Sequence, residues 1–138
     1  MSAWIAWLFL MKALMDIDAF CTKFIETVPP GTVFQNPGGG TSNVLSITNG
    51  KVRYKRGRST MAVSLRDLFD AYMAFKGRSM SSSDLKVLAP AVFDSAARPA
   101  GHSCNATFFF LALQKMAVVT AIHGNGVRGA TYFVEIPN

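Results

Sequence analysis

Five of the eight residues from Lys51 to Arg58 are cationic (Lys51, Arg53, Lys55, Arg56 and Arg58), and no acid occurs between Gly50 and Arg66. A cationic run with nothing beside it to cancel its field suits a polyanion, above all the phosphates of a nucleic acid. A second set of candidate contacts, His102, Ser103, Asn105 and Thr107, stands where a helix is expected to begin. Backbone N–H groups at such an end favour an anion. Asn can pair with an adenine edge through two hydrogen bonds, and Ser or Thr can reach phosphate or base. Arg128 is the cation of a later Gly/Arg turn, Gly124-Asn125-Gly126-Val127-Arg128-Gly129. Arg56, Arg58, Arg128 and Lys51 are the first choices for backbone contact. Plainer roles stand beside these: Ser103 as a helix cap, Asn105 as a solvated first-turn residue, and the Lys/Arg run as a solvated strand face.

Catalytic chemistry finds little among the remaining residues. His102, His123, Cys21 and Cys104 are scattered, whereas zinc sites use paired ligands at short, repeated spacings. The neighbours His102, Ser103 and Cys104 point in different directions on a helix, and Cys104 inside an apolar helix reads as core packing. Asp67, Asp70, Asp84 and Asp94 show no nuclease-like spacing with a lysine. Gly38-Gly39-Gly40 resembles a phosphate cradle, but the chain then runs into Val44-Leu45-Ser46-Ile47, a strand pattern rather than a helix start, so a mobile surface loop is expected. No catalytic residue, metal site or cofactor is expected.

Composition bounds the class. A chain of 138 residues, half of them apolar and 16% charged, is long enough to bury one core and is not a disordered tail. Fourteen Lys and Arg against eight Asp and Glu leave a net charge of +6, which makes double-stranded DNA the leading partner. Two distant cysteines cannot build a disulfide framework, and a reducing cytoplasm is expected. Residues 1–14 are strongly apolar, with Lys12 as their only charge. The run is about half the roughly 20 residues that a membrane span requires, and it lacks the basic start of a secretory signal. It is expected to pack on the body of the protein or to make a homodimer or partner contact through Trp4–Leu14. An interfacial membrane anchor is the third reading, and an extension ahead of a start at Met15 is another.

These side chains need elements to position them. A first helix is expected through Phe20, Phe24 and Ile25, ending before Pro29-Pro30-Gly31. Asn49-Gly50 between two β-rich runs is the strongest hairpin signal. With Ser59–Val63 it predicts a three-stranded meander whose middle strand alternates Lys51, Arg53 and Lys55 with Val52 and Tyr54. Ser64 caps a helix carrying Leu65, Leu68, Phe69, Tyr72 and Phe75, closed by Gly77. A short helix from Ser83-Asp84 carries Leu85, Leu88 and Val92. A connection through Pro99-Ala100-Gly101 leads to the Ser103 helix, with Phe108, Leu111 and Met116 inward. Two β-rich runs, Ala117–His123 and Ala130–Glu135, flank the Gly/Arg turn. The whole is a single α+β domain: a 1–14 extension, a 15–64 helix and basic meander, and a 65–138 remainder.

From Leu65 to Ile136 the order helix, helix, helix, strand, turn, strand resembles the winged helix-turn-helix family. The carrying residues are Leu113-Gln114-Lys115-Met116-Ala117-Val118, ending a helix, and Gly124 to Tyr132 as the wing. The resemblance implies that the Ser103–Met116 helix lies in the major groove and that Arg128 of the wing meets phosphate. The link between the Asp84 and Ser103 helices is longer than the family's tight turn, and Phe108-Phe109-Phe110 makes the recognition helix unusually apolar. The expectation is a non-catalytic DNA-binding protein, a transcription regulator or recognition module of a restriction, defence or mobile-element system. Its cations from two hairpins would converge beside one helix end in a continuous strip. Some winged domains bind only protein. The alternative is therefore a protein-interaction module, such as a phage or plasmid inhibitor, that turns the same surface to an acidic partner.

Overall fold

Asn49 and Gly50 take φ of 54° and 73°, the left-handed pair that a tight hairpin turn demands. They join β2 (Thr41–Thr48) to β3 (Lys51–Arg56), and β4 (Ser59–Ser64) returns antiparallel beside β3. A fourth strand, β1 (Val33–Gln35), pairs with β2 and makes the order β1-β2-β3-β4. The structure is a computed structural model that describes residues 17–97 and 101–138. The Trp4–Leu14 segment lies outside the described residues.

The sheet has one apolar face. Val44, Val52, Tyr54, Met61 and Val63 are buried on it, while Lys51, Arg53 and Lys55 are exposed on the other. This is the period-2 alternation of a half-buried strand. A bulge between Val44 and Ser46 turns Leu45 outward. The Asn36–Gly40 segment leads into β2, not a helix. It is a surface turn, as expected, closed by hydrogen bonds: Asn36 N–H to the Gly40 carbonyl at 2.9 Å, Gly39 N–H to the Asn36 carbonyl at 3.0 Å, and Ser42 Oγ to Asn36 Oδ1 at 2.7 Å.

Helix α1 (17–27) ends two residues before Pro29 and buries Phe20 and Phe24. Phe20 meets Phe69 edge-on and Tyr72 face-on, both on α2 (Leu65–Ala74). Ser64 caps α2 by accepting from the N–H groups of Arg66 and Asp67. After β5 (Ser79–Ser81), α3 (Ser82–Leu88) opens with a capping box between Ser81 and Asp84. Pro90 stands at the start of a separate turn, α4 (Pro90–Phe93). Leu85 points inward as expected, whereas Leu88 is 46% exposed.

Helix α5 (Cys104–Lys115) is the centre of the core. Asn105, Ala106 and every residue from Phe108 to Leu113 are buried. Phe108 stacks on Tyr54 at 4.0 Å and meets Phe34 edge-on, and Phe109 faces Phe93 of α4. A helix apolar on all sides is stable only when covered on all sides, which explains three consecutive phenylalanines. The sheet covers one flank and α4 another.

The C-terminal hairpin differs from expectation. Residues 117–123 are not a strand: Ala117 turns with φ of 60°, the N–H groups of Val118 and Val119 return to the Leu113 carbonyl, and Met116 and Val119 fill the core. The β-branched run is spent on burial, and only His123 keeps a bridge, to Phe133. The final strand, β6 (Phe133–Glu135), takes β5 as its ladder partner instead. The architecture is mixed α+β, with a four-stranded antiparallel sheet and a small two-stranded one.

Candidate functional site

Where β3 ends, α3 passes and α5 begins, the surface opens into a cleft of about 570 Å³. Arg56 lines it from β3, Ser82 and Lys86 from α3, and Ser103, Cys104 and Thr107 from the start of α5. The loop before β6 supplies Arg128 and Tyr132. Three cations from three separate elements converge on it, and among the described residues no carboxylate lines it. Among the described residues the ion pair formed is Arg66–Asp70 at 3.1 Å, and neither residue lines the cleft. Three like charges left unneutralised around a recess favour an anionic occupant.

Strand parity decides which cations reach the cleft. Arg56 is half-buried and stands an even number of residues from Val52 and Tyr54, so it shares their side of the sheet. Lys51, Arg53 and Lys55 project from the opposite face, where their cross-strand partners are uncharged: Thr48 and Ser64, Ser46 and Ala62, Asn43 and Thr60. Arg58 is exposed in the β3–β4 turn and does not line the cleft. The expected continuous strip is therefore two groups. Arg56 and Arg128 meet beside Ser103 and Thr107, and Lys51, Arg53 and Lys55 form a separate outward row. Lys51 stands at the far end of β3, about 17 Å from Arg56 at the usual strand rise. There Asp67 lines the same small hollow.

Two residues at the front of α5 have other work than expected. Asn105 is 1% exposed and does not line the cleft. Its Oδ1 accepts from the Tyr54 hydroxyl at 2.6 Å and its Nδ2 donates to the Val92 carbonyl at 2.8 Å. Ser103 lines the cleft, yet its side chain does not cap α5. Ser95 Oγ accepts from the Ser103 N–H at 2.9 Å and bonds to Ser103 Oγ at 3.0 Å. His102 is half-buried, outside the cleft, and its N–H bonds to the Val92 carbonyl.

The Arg128 turn is held rigidly. The Asn125 and Gly126 N–H groups both reach the Ala130 carbonyl, and the Ala130 N–H reaches the Val127 carbonyl. Gly126, at φ of 72°, lies so close to Tyr132 that a Cβ there would stand 2.4 Å from the ring. Arg128 is therefore presented from the tip of a turn packed on Tyr132.

Sequence reasoning missed Lys86, Ser82 and Tyr132. The spacing of Ser82 and Lys86, four apart on one helix, places them on one face. What that face looks onto is decided by chain more than forty residues away.

Burial raises the Tyr54 hydroxyl well above the usual tyrosine range, helped by Cys104 and opposed by the Arg56 charge. Burial also raises the Cys21 thiol, with Asp18 adding to it. Among the described residues no cluster of three or more His, Cys, Asp or Glu could hold a metal, and no helix is long and apolar enough to cross a membrane. No family model, characterised protein or solved structure matches the chain.

Proposed function

We propose that the protein is a non-catalytic DNA-binding protein that grips the sugar–phosphate backbone at the β3–β4 end of the molecule. The carrying observation is the convergence of Arg56, Lys86 and Arg128 on one recess that no carboxylate lines among the described residues. Lys55 and Arg58, within two residues of Arg56 in the chain, are exposed but do not line the cleft. In this reading the winged helix-turn-helix resemblance is reduced to α5 followed by a Gly/Arg turn and β6, since residues 117–123 form no strand and β6 pairs with β5. Helix α5 organises the site rather than reading bases, because Tyr54 and Phe34 of the sheet cover Phe108. Backbone contact without base readout suits a recognition or regulatory module that gains sequence preference from DNA shape or from a partner.

The test is a salt-series gel shift on duplex DNA. Affinity should fall with a log–log slope of about −0.9 for each phosphate neutralised, and Arg56→Ala with Arg128→Ala should flatten it. Absence of retention even at about 50 mM salt overturns the proposal.

A second reading, a module for an acidic partner protein, draws on Val87. It is 84% exposed beside Lys86 on α3, and Val127 is 57% exposed beside Arg128. Apolar side chains next to unpaired cations suit an acidic, partly apolar surface. That reading expects a stoichiometric protein complex and no salt-weakened retention on DNA.

A further inference from the structure

The cleft offers more than contact with a duplex backbone requires. A duplex backbone is a convex rail of diester phosphates with one negative charge each. The cleft is concave, and its volume of about 570 Å³ is that of a small-ligand site. Three cations in a recess are matched to a group that protrudes and carries nearly two charges. A phosphate monoester is such a group near neutral pH, because its second pKa lies at about 6. Ser82 and Thr107 offer hydroxyl donors to its oxygens, and Arg56 and Arg128 offer planar forks. Tyr132 supplies a ring against which a base can stack, and Gly126 fixes that ring next to the Arg128 turn.

We infer that the cleft is a receptor for a phosphate monoester attached to a planar base: the phosphorylated end of a nucleic-acid strand, or a free nucleotide with the same chemistry. The strand end as source rests on the DNA-binding reading above. The monoester chemistry comes from the cleft itself.

The experiment compares a short oligothymidylate bearing a 5′-phosphate with its 5′-hydroxyl counterpart, using thymidine 5′-monophosphate as competitor. A long duplex with hydroxyl ends is run in parallel. At neutral pH the phosphorylated strand should bind about ten- to a hundredfold more tightly, the range of charge-assisted hydrogen bonds. The preference should shrink below about pH 6 as the monoester takes up a proton. Lys86→Ala with Arg128→Ala, both at exposed positions, should bring the two strands to parity without moving the melting temperature. Competition by the free nucleotide without a strand preference supports the monoester chemistry and assigns the source to nucleotides. A strand preference without competition assigns it to strand ends. Equal binding of both strands, with no competition, overturns the inference. If the hydroxyl-ended duplex is then still retained, the DNA-binding reading survives alone; if only the duplex is lost, that reading falls alone.

Discussion

The Tyr54 hydroxyl donates to Asn105 Oδ1 at 2.6 Å, joining the middle of the sheet to the start of α5 across 51 residues of chain. The Asn105 amide then donates to the Val92 carbonyl, so one buried side chain ties sheet, α4 and α5 together. Arg56 lies two residues beyond Tyr54, on the same side of β3. Thr107 lies two residues beyond Asn105. The hydrogen bond thus sets two rims of the cleft relative to each other.

Removing Asn105 should cost more than removing an exposed polar residue. Asn105→Ala leaves the buried Tyr54 hydroxyl without a partner, at about 1–3 kcal/mol, while the Val92 carbonyl keeps the His102 N–H. A loss of about 1–3 kcal/mol is expected, read as a drop in melting temperature of about 4 °C per kcal/mol. Tyr54→Phe removes only the donor and should cost less. In the double variant the two losses should fall short of additivity, because the pair shares one bond. Additive losses would show that the bond contributes nothing to stability.

Alkaline pH should weaken the fold through Tyr54. Burial, the first cause, raises its folded pKa, with Cys104 adding and Arg56 opposing. In the unfolded chain the hydroxyl loses its proton near its ordinary pKa of about 10. Above that pH the unfolded state binds fewer protons than the native state, and stability falls by up to about 1.4 kcal/mol per pH unit. Below about pH 10 the contribution is fully present. Denaturant titrations of the wild type and Tyr54→Phe between about pH 9 and 11 should converge, with the variant losing less. Parallel curves would mean that Tyr54 ionises no less readily in the fold than out of it.

Much of this was legible in local pattern, and what was not had long-range causes. Asn49-Gly50, the Ser64 cap and the alternation of Val52 and Tyr54 with basic residues all act within a few residues, and the sheet and α2 follow from them. The same alternation places Arg56 opposite Lys55, so the division of the basic run into two faces could have been read by counting. β1 is only three residues long, and β5 is Ser79-Met80-Ser81, without β-branched side chains. Neither pattern declares a strand until its partner is present. Val118, Val119 and Ile122 carry a strand signal that core packing overrides. Asn105 reads as a solvated helix-start residue until Tyr54 stands against it, and Lys86 becomes a site residue only through the fold.

Gly126 should matter to binding more than to folding. An alanine there must hold φ of 72° and move the Tyr132 ring, which its Cβ would approach to 2.4 Å. The backbone term is about 1–2 kcal/mol, and the ring can yield at some cost in the geometry of the Arg128 turn. Gly126→Ala is expected to lower the melting temperature by several degrees and to weaken anion binding as Arg128→Ala does. Unchanged affinity would show that the turn adapts to its ligand and is not preset.

The cations along β3 should be unequal in DNA binding, ordered by distance from the cleft. Arg56 lies in it, Arg58 and Lys55 stand within two residues of Arg56, and Lys51 is at the opposite end of the strand near Asp67. Arg56→Ala with Arg128→Ala should reduce the slope of log affinity against log salt by about 1.8, if each neutralises one phosphate. Lys51→Ala should leave that slope and the affinity unchanged. None of these substitutions should move stability by more than about 0.5 kcal/mol where the side chain is exposed, which keeps binding loss separate from unfolding. A Lys51 variant that loses as much as the Arg56 and Arg128 pair would move the interface to the outward sheet face. A duplex lying along Lys51, Arg53 and Lys55 would leave the cleft free, and the strand-end preference would then persist in variants that no longer hold duplex.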